Sequence, residues 1–403
     1  MPKKRFRLVT LLGIRPDIIR MFKLIKLLDR GQDEHRYEHQ FMHTGQHFDY
    51  ELDAIFYRQL RVRRPDHNLE VGRTLRERGG PTTHAYQTSL LFERVEEMLK
   101  KFRPDAVLYL GDTNSVTSSF VVARANIPVI HLEAGGRSFD WRMPEEKCRI
   151  LIDHLSDVLY AYMPRYRENL LREGIAAFRI HVIGNIIYDA VEQFLPRADQ
   201  SPILDQLGLR PRRYCAVTLH REENTDDRVA LTAKVAGLCS LARKMPVVWP
   251  LMPRVRKNLA RFRLGSALRR ARVRTTPPLG FLDFLKLEKE AKLIVSDSGT
   301  VQEEALILGV PCLVTRLSTE RPETIEAGAT VLSNDDLYEH ALRALRLEPG
   351  WDRYALNPMR TSPSEIVYKD LLARIRSGWF ARSRSFAQVA TDPYIRQAYG
   401  HAD

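Results

Sequence analysis

The sequence predicts an α/β protein of two doubly wound domains, each a parallel sheet covered by helices, facing one another across a cleft. Short apolar runs alternate with longer segments of helical period, the pattern of strands joined by crossover helices. The alternation runs through two series, separated by PRADQSPILDQLGLRPRR (196–213), which is rich in Pro and polar residues and reads as a domain boundary. The chain has 403 residues, 44% of them hydrophobic, enough for about two separate cores. The expected domains are therefore 1–195 and 196–363. Open parallel sheets bind ligands beyond the carboxyl ends of their strands, so the turns that follow strands are where function is expected.

The first series opens with RFRLVTLLG (5–13) as a strand and PDIIRMFKLIKLL as its helix. Pro16 suits the first helical turn, and Ile18, Met21, Phe22, Ile25 and Leu28 recur at helical spacing. HQFMHT, DAVLYLGD, NIPVIHLEA, DVLYAYM and RIHVIGN follow as strands, with HAYQTSLLFERVEEMLKKF and YRENLLREG as helices between them. In the second series CAVTLH, MPVVWPL, AKLIVSD and VPCLVTR read as strands, and VALTAKVAGLCSLARK and TVQEEALILG as helices.

Composition narrows the function classes. Cys148, Cys215, Cys239 and Cys312 lie far apart with no CxxC pair, which suggests neither a disulfide framework nor a zinc site and points to reducing cytosol. No apolar run reaches the roughly 18 to 20 residues of a membrane span, and the basic start MPKKRFR leads into a short LVTLLGI stopped by Arg15-Pro16, so neither export nor a span is expected. The net charge of +13 favours anionic partners or, as the plainer reading, makes a soluble basic surface. Its cations are scattered, and no nucleic-acid-reading motif accompanies them.

Six segments carry candidate chemistry. In AKLIVSDSGTVQEEA (291–305) a strand ends in Ser-Asp-Ser-Gly and a helix starts near Thr300. The unpaired N–H groups of a helix start could let Ser298, Gly299 and Thr300 cradle a phosphate, with Glu304 one turn on to accept from ribose hydroxyls; a capping role for Ser298 explains the same residues locally. GIRPD (13–17) is a second strand-to-helix turn, where Arg15 could reach phosphate oxygens or simply face solvent. GDTNS (111–115) places Asp112 at a strand end, as an acid-base group or an N-cap. NIPVIHLEAG delivers Glu133 to the same sheet edge, and two carboxylates there suggest acid-base work. TLHREEN (218–224) sets His220 at the second domain's first strand end, placed to neutralise or protonate a leaving phosphate, or structural. TERPE (319–323) adds Glu320, Arg321 and Glu323 in a turn that could equally be a solvated charge cluster.

GIRPDIIRM, HTGQHFDYELDAIFY, LGDTNS, HLEAGGRSFDWRMPEE, LLREGI, VIGNIIYDAV, TLHREEN, SDSGTVQEEALILGVP and TERPETIEAGAT, in this order over most of residues 5–331, resemble the non-hydrolysing UDP-N-acetylglucosamine 2-epimerases. The resemblance implies two Rossmann-like domains in a GT-B-like arrangement, with a C-terminal helix within 364–403 crossing back to the first domain. It implies no cofactor and no metal, and an enzyme that eliminates UDP from a UDP-sugar to give a glycal, then adds it back with C2 inverted. By motif, Asp112, Glu133 and Glu145 match the catalytic carboxylates and His220 the catalytic histidine. Arg15, Ser298, Gly299 and Thr300 match phosphate contacts, Glu304 the ribose ligand, Phe284 the uracil position and Arg321 the arginine of the ERPE turn.

Within HLEAGGRSFDWRMPEE, Arg137 and Arg142 are candidate neighbours of the sugar or of the carboxylates, while Asp140 and Glu146 shape the loop. Ile14, Cys148 and Met252 stand where the family has Thr, Asn and His, and Gly136 where a larger residue is usual, changes that alter donors and cavity shape. GDTNS, RSFDWRMPEE, HREEN and SDSGT look closest to the branch making UDP-N-acetyl-L-fucosamine or UDP-2,3-diacetamido-mannuronic acid, which serves bacterial glycoconjugate assembly. A cytoplasmic homodimer is expected by the same resemblance. The rival classes are a hydrolysing relative that releases N-acetylmannosamine and UDP, a GT-B glycosyltransferase, and a catalytically silent sugar-nucleotide sensor.

Overall fold

The computed structural model describes residues 5–45, 57–79, 83–333 and 335–382, with the backbone alone at Arg15 and Arg382. Most of HTGQHFDYELDAIFY and the tail from 383 on lie outside the described residues.

The chain forms two compact units, one from residues up to Asp189 together with those from Thr361 on, the other from Ala190 to Arg360. The first boundary falls within the helix Ile187–Ala198, which carries Pro196 inside it. The Pro-rich stretch 196–213, read as the domain boundary with the second domain starting at 196, belongs to the second unit and includes the short helix Ile203–Gln206.

The first unit holds seven strands, β1 (Phe6–Leu12), β2 (Tyr37–His43), β3 (His67–Asn68), β4 (Ala106–Leu110), β5 (Val129–Ala134), β6 (Val158–Ala161) and β7 (Ile180–Val182), in the order β3-β2-β1-β4-β5-β6-β7. The second holds six, β8 (Cys215–Thr218), β9 (Val247–Pro250), β10 (Arg274–Thr276), β11 (Leu293–Ser296), β12 (Cys312–Val314) and β13 (Thr330–Leu332), in the order β10-β9-β8-β11-β12-β13. Every pairing is parallel. Each sheet thus reverses direction once, between β1 and β4 and between β8 and β11, and such switch points are where doubly wound sheets open to ligands.

Helices on both faces explain why β4 (AVLYL) and β5 (VIHLEA) are buried throughout rather than alternating. The first helix, α1 (Arg15–His35), has Pro16 in its first turn and buries Ile18, Met21, Phe22, Ile25 and Leu28, the stripe its sequence shows. One core gathers Val9, Leu11, Met42, Val95, Val107, Tyr109 and Ile152; the other gathers Val217, Leu231, Trp249, Leu293, Val295 and Leu313. Truncating one such leucine to alanine costs about 2–5 kcal/mol.

The helix Pro363–Ser377 packs on α1. Lys23 bridges Asp189 (3.3 Å) and Glu365 (2.9 Å), the Ser364 amide donates to Asp189 (2.9 Å), and the Tyr160 hydroxyl donates to Asp370 (2.6 Å). Among the described residues no helix is long and apolar enough to cross a membrane, and no group of three His, Cys, Asp or Glu side chains is arranged to hold a metal.

Candidate active site

In the first unit the switch point is built by close backbone approach. A Cβ on Gly13 would fall 2.2 Å from Ser115 Oγ, so only glycine lets the turn after β1 lie against the turn after β4. Ile14 begins α1 without a side-chain acceptor; Asp17 compensates by accepting from the amides of Gly13 (3.3 Å) and Ile14 (3.2 Å). Burial pushes the Asp17 carboxyl up, with Arg20 and the two amides opposing that rise. Arg20 bridges Asp17 (3.2 Å) and Glu133.

Glu133 itself sits at φ 73°, in the left-handed region that a glutamate rarely occupies, where the β5–β6 register breaks between Leu132 and Ala134. The break turns the end of β5 so that the Glu133 carboxylate meets the turn after β4: an ideal Cβ on Gly111 would lie 3.1 Å from Arg20 Nη2 and 3.4 Å from Glu133 Oε2. Asp112, the next residue, is ion-paired to Arg149 from the helix Pro144–Leu155, and Arg149 also pairs with the buried Glu146. Asp112 and Glu133 therefore come together at the carboxyl ends of neighbouring strands, each held by its own arginine.

Glu146 closes the loop before its helix by accepting from the amides of Ser138 (3.0 Å) and Phe139 (3.0 Å) and the Ser138 hydroxyl (2.8 Å). Asp140 accepts from the Arg142 guanidinium (2.8 and 2.7 Å). Glu145, in the first turn of that helix, makes no hydrogen bond or ion pair among the described residues and is partly exposed. Cys148 lies near enough to Asp112 and Glu145 that burial first, and then their charges, push its thiol up to about 11. Phe139 and Trp141 stand out from the same loop, 76% and 64% exposed.

Arg137, expected beside the sugar, keeps its guanidinium inside the protein at 1% exposure. It pairs with Asp153 (2.7 Å) and with both oxygens of Glu173 (2.8 and 2.6 Å), and donates to the Gly136 carbonyl (2.8 Å). Asp153 also takes His131 Nδ1 (2.7 Å) and the Gly135 amide (3.1 Å), while His131 Nε2 contacts the Gly111 carbonyl (2.8 Å). Burial pushes Asp153 up, yet His131 and Arg137 outweigh it and hold the carboxyl below its usual range. The geometry of Arg137 is that of a loop anchor. Arg142 is exposed and partnered by Asp140 within its own loop.

In the second unit Asp297, fully buried after β11, organises the switch point. It accepts from the amides of His220 (3.0 Å) and Arg221 (3.0 Å) and from Asn224 Nδ2 (3.1 Å), and it lies 3.2 Å from His220 Nδ1. The His220 ring, 44% exposed, thus has Nδ1 oriented by a carboxylate and Nε2 left to act. Beside it Ser298 caps the helix Gly299–Leu308, accepting from the Val301 amide (3.5 Å), and Gly299 leaves no room for a Cβ, which would lie 2.6 Å from Glu320 Oε1. Ser298, Gly299 and Thr300 form this helix start, and Glu304 lies buried one turn beyond. Phe284 is partly buried on the helix Phe281–Lys289. Arg321, buried, pairs with Glu303 and donates to the Glu320 carbonyl (3.3 Å). The side chain of Arg15 lies outside the described residues; its backbone opens α1 at the first unit's switch point.

Sequence reasoning singled out Glu133, Asp112 and His220 but passed over the groups that fix them, Arg20, Arg149 and Asp297. For Arg20 the i, i+3 spacing from Asp17 was an available signal. For Arg149 and Asp297 the partners are 37 and 77 residues away, beyond any local pattern.

The sequence model of the UDP-N-acetylglucosamine 2-epimerase family matches residues 30–355. The chain belongs to that family. It is 38% identical over 372 residues to a UDP-N-acetylglucosamine 2-epimerase of Methanocaldococcus jannaschii, covering 89% of this chain and 96% of the relative. It is 37% identical over 347 residues to a UDP-2,3-diacetamido-2,3-dideoxy-D-glucuronate 2-epimerase of Pseudomonas aeruginosa, covering 84% of this chain and 92% of the relative. Its structure superposes on the crystal structure of the M. jannaschii UDP-GlcNAc 2-epimerase in complex with UDP-GlcNAc and UDP with a TM-score of 0.82 at 36% identity, over 91% of this chain and 99% of that one. As an epimerase of this family, the chain carries two Rossmann-type α/β units, and Ile14, Gly136 and Cys148 lie along the turns and the helix that frame the carboxylates of the first unit.

Proposed function

We propose that the protein inverts C2 of a UDP-linked N-acetylamino sugar without hydrolysing it, with UDP-N-acetylglucosamine or a deoxy or uronate analogue as substrate. The C1–O bond to UDP breaks as a carboxylate removes the C2 proton, a C1=C2 double bond forms, and UDP leaves with the bonding electron pair. Return of UDP to C1 and of a proton to the opposite face of C2 completes the inversion. The observation that carries this is Glu133, held on an unusual backbone by Arg20 and brought to the turn that carries Asp112, with Glu145 in the first turn of the helix after the same loop. Fixed carboxylates of this kind suit removal and return of a weakly acidic C–H proton. Glu133 and Glu145 are the groups assigned to the two faces of C2, and Asp112 supports the sugar. His220, oriented by Asp297, supplies charge or a proton to the departing diphosphate, with Arg15 and the 298–300 helix start as its phosphate contacts, Glu304 on the ribose and Phe284 at the uracil. Arg142 and Arg321 complete the assignment as substrate neighbours.

Resemblance to the P. aeruginosa relative, together with Gly136 and Cys148, favours a modified sugar. A cytoplasmic homodimer that uses no nucleic acid is part of this proposal; four free thiols support a reducing compartment. The deciding experiment is NMR in deuterium oxide with UDP-N-acetylglucosamine and its deoxy and 2,3-diacetamido-uronate derivatives. Deuterium at C2 of a new UDP-sugar is the expected result; no incorporation with any of them overturns the mechanism, and free sugar with stoichiometric UDP assigns hydrolysis instead.

A further inference from the structure

Residues 228–282 hold 13 Lys and Arg and no Asp or Glu. Of the chain's 63 Lys and Arg and 50 Asp and Glu, the remaining residues hold 50 of each, so the whole net charge of +13 arises in this one stretch. The cations are scattered along the chain, but the acids are not: average composition would place about seven of them here.

The stretch builds one end of the second sheet. It runs from the helix Arg228–Ala242 through β9 to the edge strand β10, with the helices Pro253–Arg261 and Gly265–Arg270 between the two strands. Val255, Leu259, Leu268 and Val273 turn inward to the core that holds Val217 and Trp249. Cations take the outer side. Arg256, Lys257 and Arg261 are exposed on the first of these two helices, Arg269 and Arg270 on the second. Arg263 and Arg272, just past the two helices on left-handed backbone (φ 59° and 58°), and Arg274 of β10 are exposed as well. None of these eight makes an ion pair among the described residues, whereas Arg254 claims the acids that precede the stretch, Asp226 and Glu222 (2.7 Å).

Local rules explain some of these residues. Helix dipoles favour Arg261, Arg269 and Arg270 in last turns, and a charge at Arg274 guards a sheet edge. They do not explain the missing acids: a surface kept merely soluble mixes both signs, and helix starts favour acids, yet the first turns of both helices hold none. Unpaired cations so grouped repel one another, and an anionic surface laid over them removes that repulsion. The three aromatic residues of the stretch pack inward, Trp249 and Phe281 buried and Phe262 partly buried against the core, so no ring stands out to stack on nucleic-acid bases.

We propose that this end of the second unit docks on an anionic lipid bilayer, its cations lying among the phosphate headgroups. A bilayer presents phosphates over an area and so meets two helices and a sheet edge together, where a single bound phosphate would meet one or two cations. Each Lys or Arg brought to such a surface tightens binding about fivefold, which makes peripheral docking strong without a spanning helix. The proposal is independent of the C2 chemistry, because none of the eight residues is assigned to the substrate.

The test is sedimentation of the full chain with phosphatidylcholine vesicles carrying no, about 15% or about 30% phosphatidylglycerol, at about 0.05 and 0.5 M salt. Binding should rise with the anionic lipid and fall more than about tenfold at the higher salt. A variant combining Arg256→Gln, Lys257→Gln, Arg269→Gln and Arg270→Gln should bind about a hundredfold more weakly. A control that removes the same charge from exposed cations of the first unit, Lys100, Lys101, Arg124 and Arg172 each to Gln, should stay within about threefold of wild type. Wild-type binding that is absent, or indifferent to phosphatidylglycerol, overturns the proposal, as does an equal loss in both variants. Duplex DNA that strips the wild type from the anionic vesicles at equal phosphate concentration assigns the surface to nucleic acid and overturns it too. Should the fourfold variant not fold, Arg269→Gln with Arg270→Gln, expected to lose about tenfold, is judged against Lys100→Gln with Lys101→Gln by the same rule.

Discussion

Replacing Asp297 by alanine tests how the second unit presents His220. The carboxylate takes three charge-assisted hydrogen bonds, from the His220 and Arg221 amides and from Asn224, and contacts His220 Nδ1. Asn224 retains the Thr315 carbonyl (3.0 Å), but among the described groups no other acceptor is recorded for the two amides. A hydrogen bond to a charged group contributes about 1.5–3 kcal/mol, and part of the lost bonding is recovered from water where the turn is half-exposed. The expected cost for D297A is therefore about 3–5 kcal/mol, against a typical domain stability of about 5–15 kcal/mol. Asp297→Asn, which retains an acceptor, should lose about half of that. Urea unfolding followed by Trp249, buried in the same unit, reads the stability, and turnover reads the orientation of His220. D297N should lower kcat more than it raises KM, because the imidazole is then unaligned in the step where diphosphate departs. A D297A variant destabilised by less than about 1 kcal/mol, or a D297N with unchanged kcat, would refute the reasoning.

Glu133→Gln and Glu145→Gln should each lower C2 deuterium exchange by about a hundredfold or more, with UDP affinity by calorimetry within about twofold of wild type, since neither side chain is assigned to the nucleotide. Arg137→Met should cost about 3–5 kcal/mol in denaturant unfolding because it leaves Asp153 and Glu173 short of a buried partner, whereas Arg142→Ala should cost under about 0.5 kcal/mol. A fall in turnover for R142A at unchanged stability would place that side chain on the substrate. Asp153 holds its proton less tightly folded than unfolded, so its contribution is complete above the unfolded value, near about 3.9, and is lost as pH falls through the lower folded value; an acid titration of Asp153→Asn should lack that slope. All four thiols are pushed up by burial, Cys148 to about 11, so the native chain should resist alkylation near pH 7.5 and react fully once unfolded.

The strand ends were legible because strands buried on both faces, such as LVTLL, AVLYL and LIVS, are mainly apolar runs that stop where polar turns begin. That is why Asp112, Glu133, His220 and Ser298 could be set at sheet edges before any coordinates. The boundary between the two units lies within Ile187–Ala198, close to the expected one. Pro196 reads as a helix breaker, yet Ile187–Ala198 continues through it, and residues far apart in sequence decide which unit the segment joins. Arg137 shows a constraint set at longer range. Its neighbours in sequence look like a substrate loop, while Glu173, 36 residues on, claims it for the interior. The left-handed backbone of Glu133 carries no sequence mark, since Glu is among the residues least expected there.

The two sheets share one wiring, six strands in the order third, second, first, fourth, fifth, sixth, with the first unit adding a seventh at its far edge. The C2 chemistry is assigned to the loops of one copy and, Arg15 apart, nucleotide recognition to the loops of the other. A change of sugar can then evolve, or be engineered, as a graft: replacing residues 131–149 with the matching segment of a relative exchanges the loop and helix behind β5 as one cassette. The turns after β8 and β11 stay untouched. A family laid out this way can diversify its products while its hold on the shared UDP carrier is inherited unaltered.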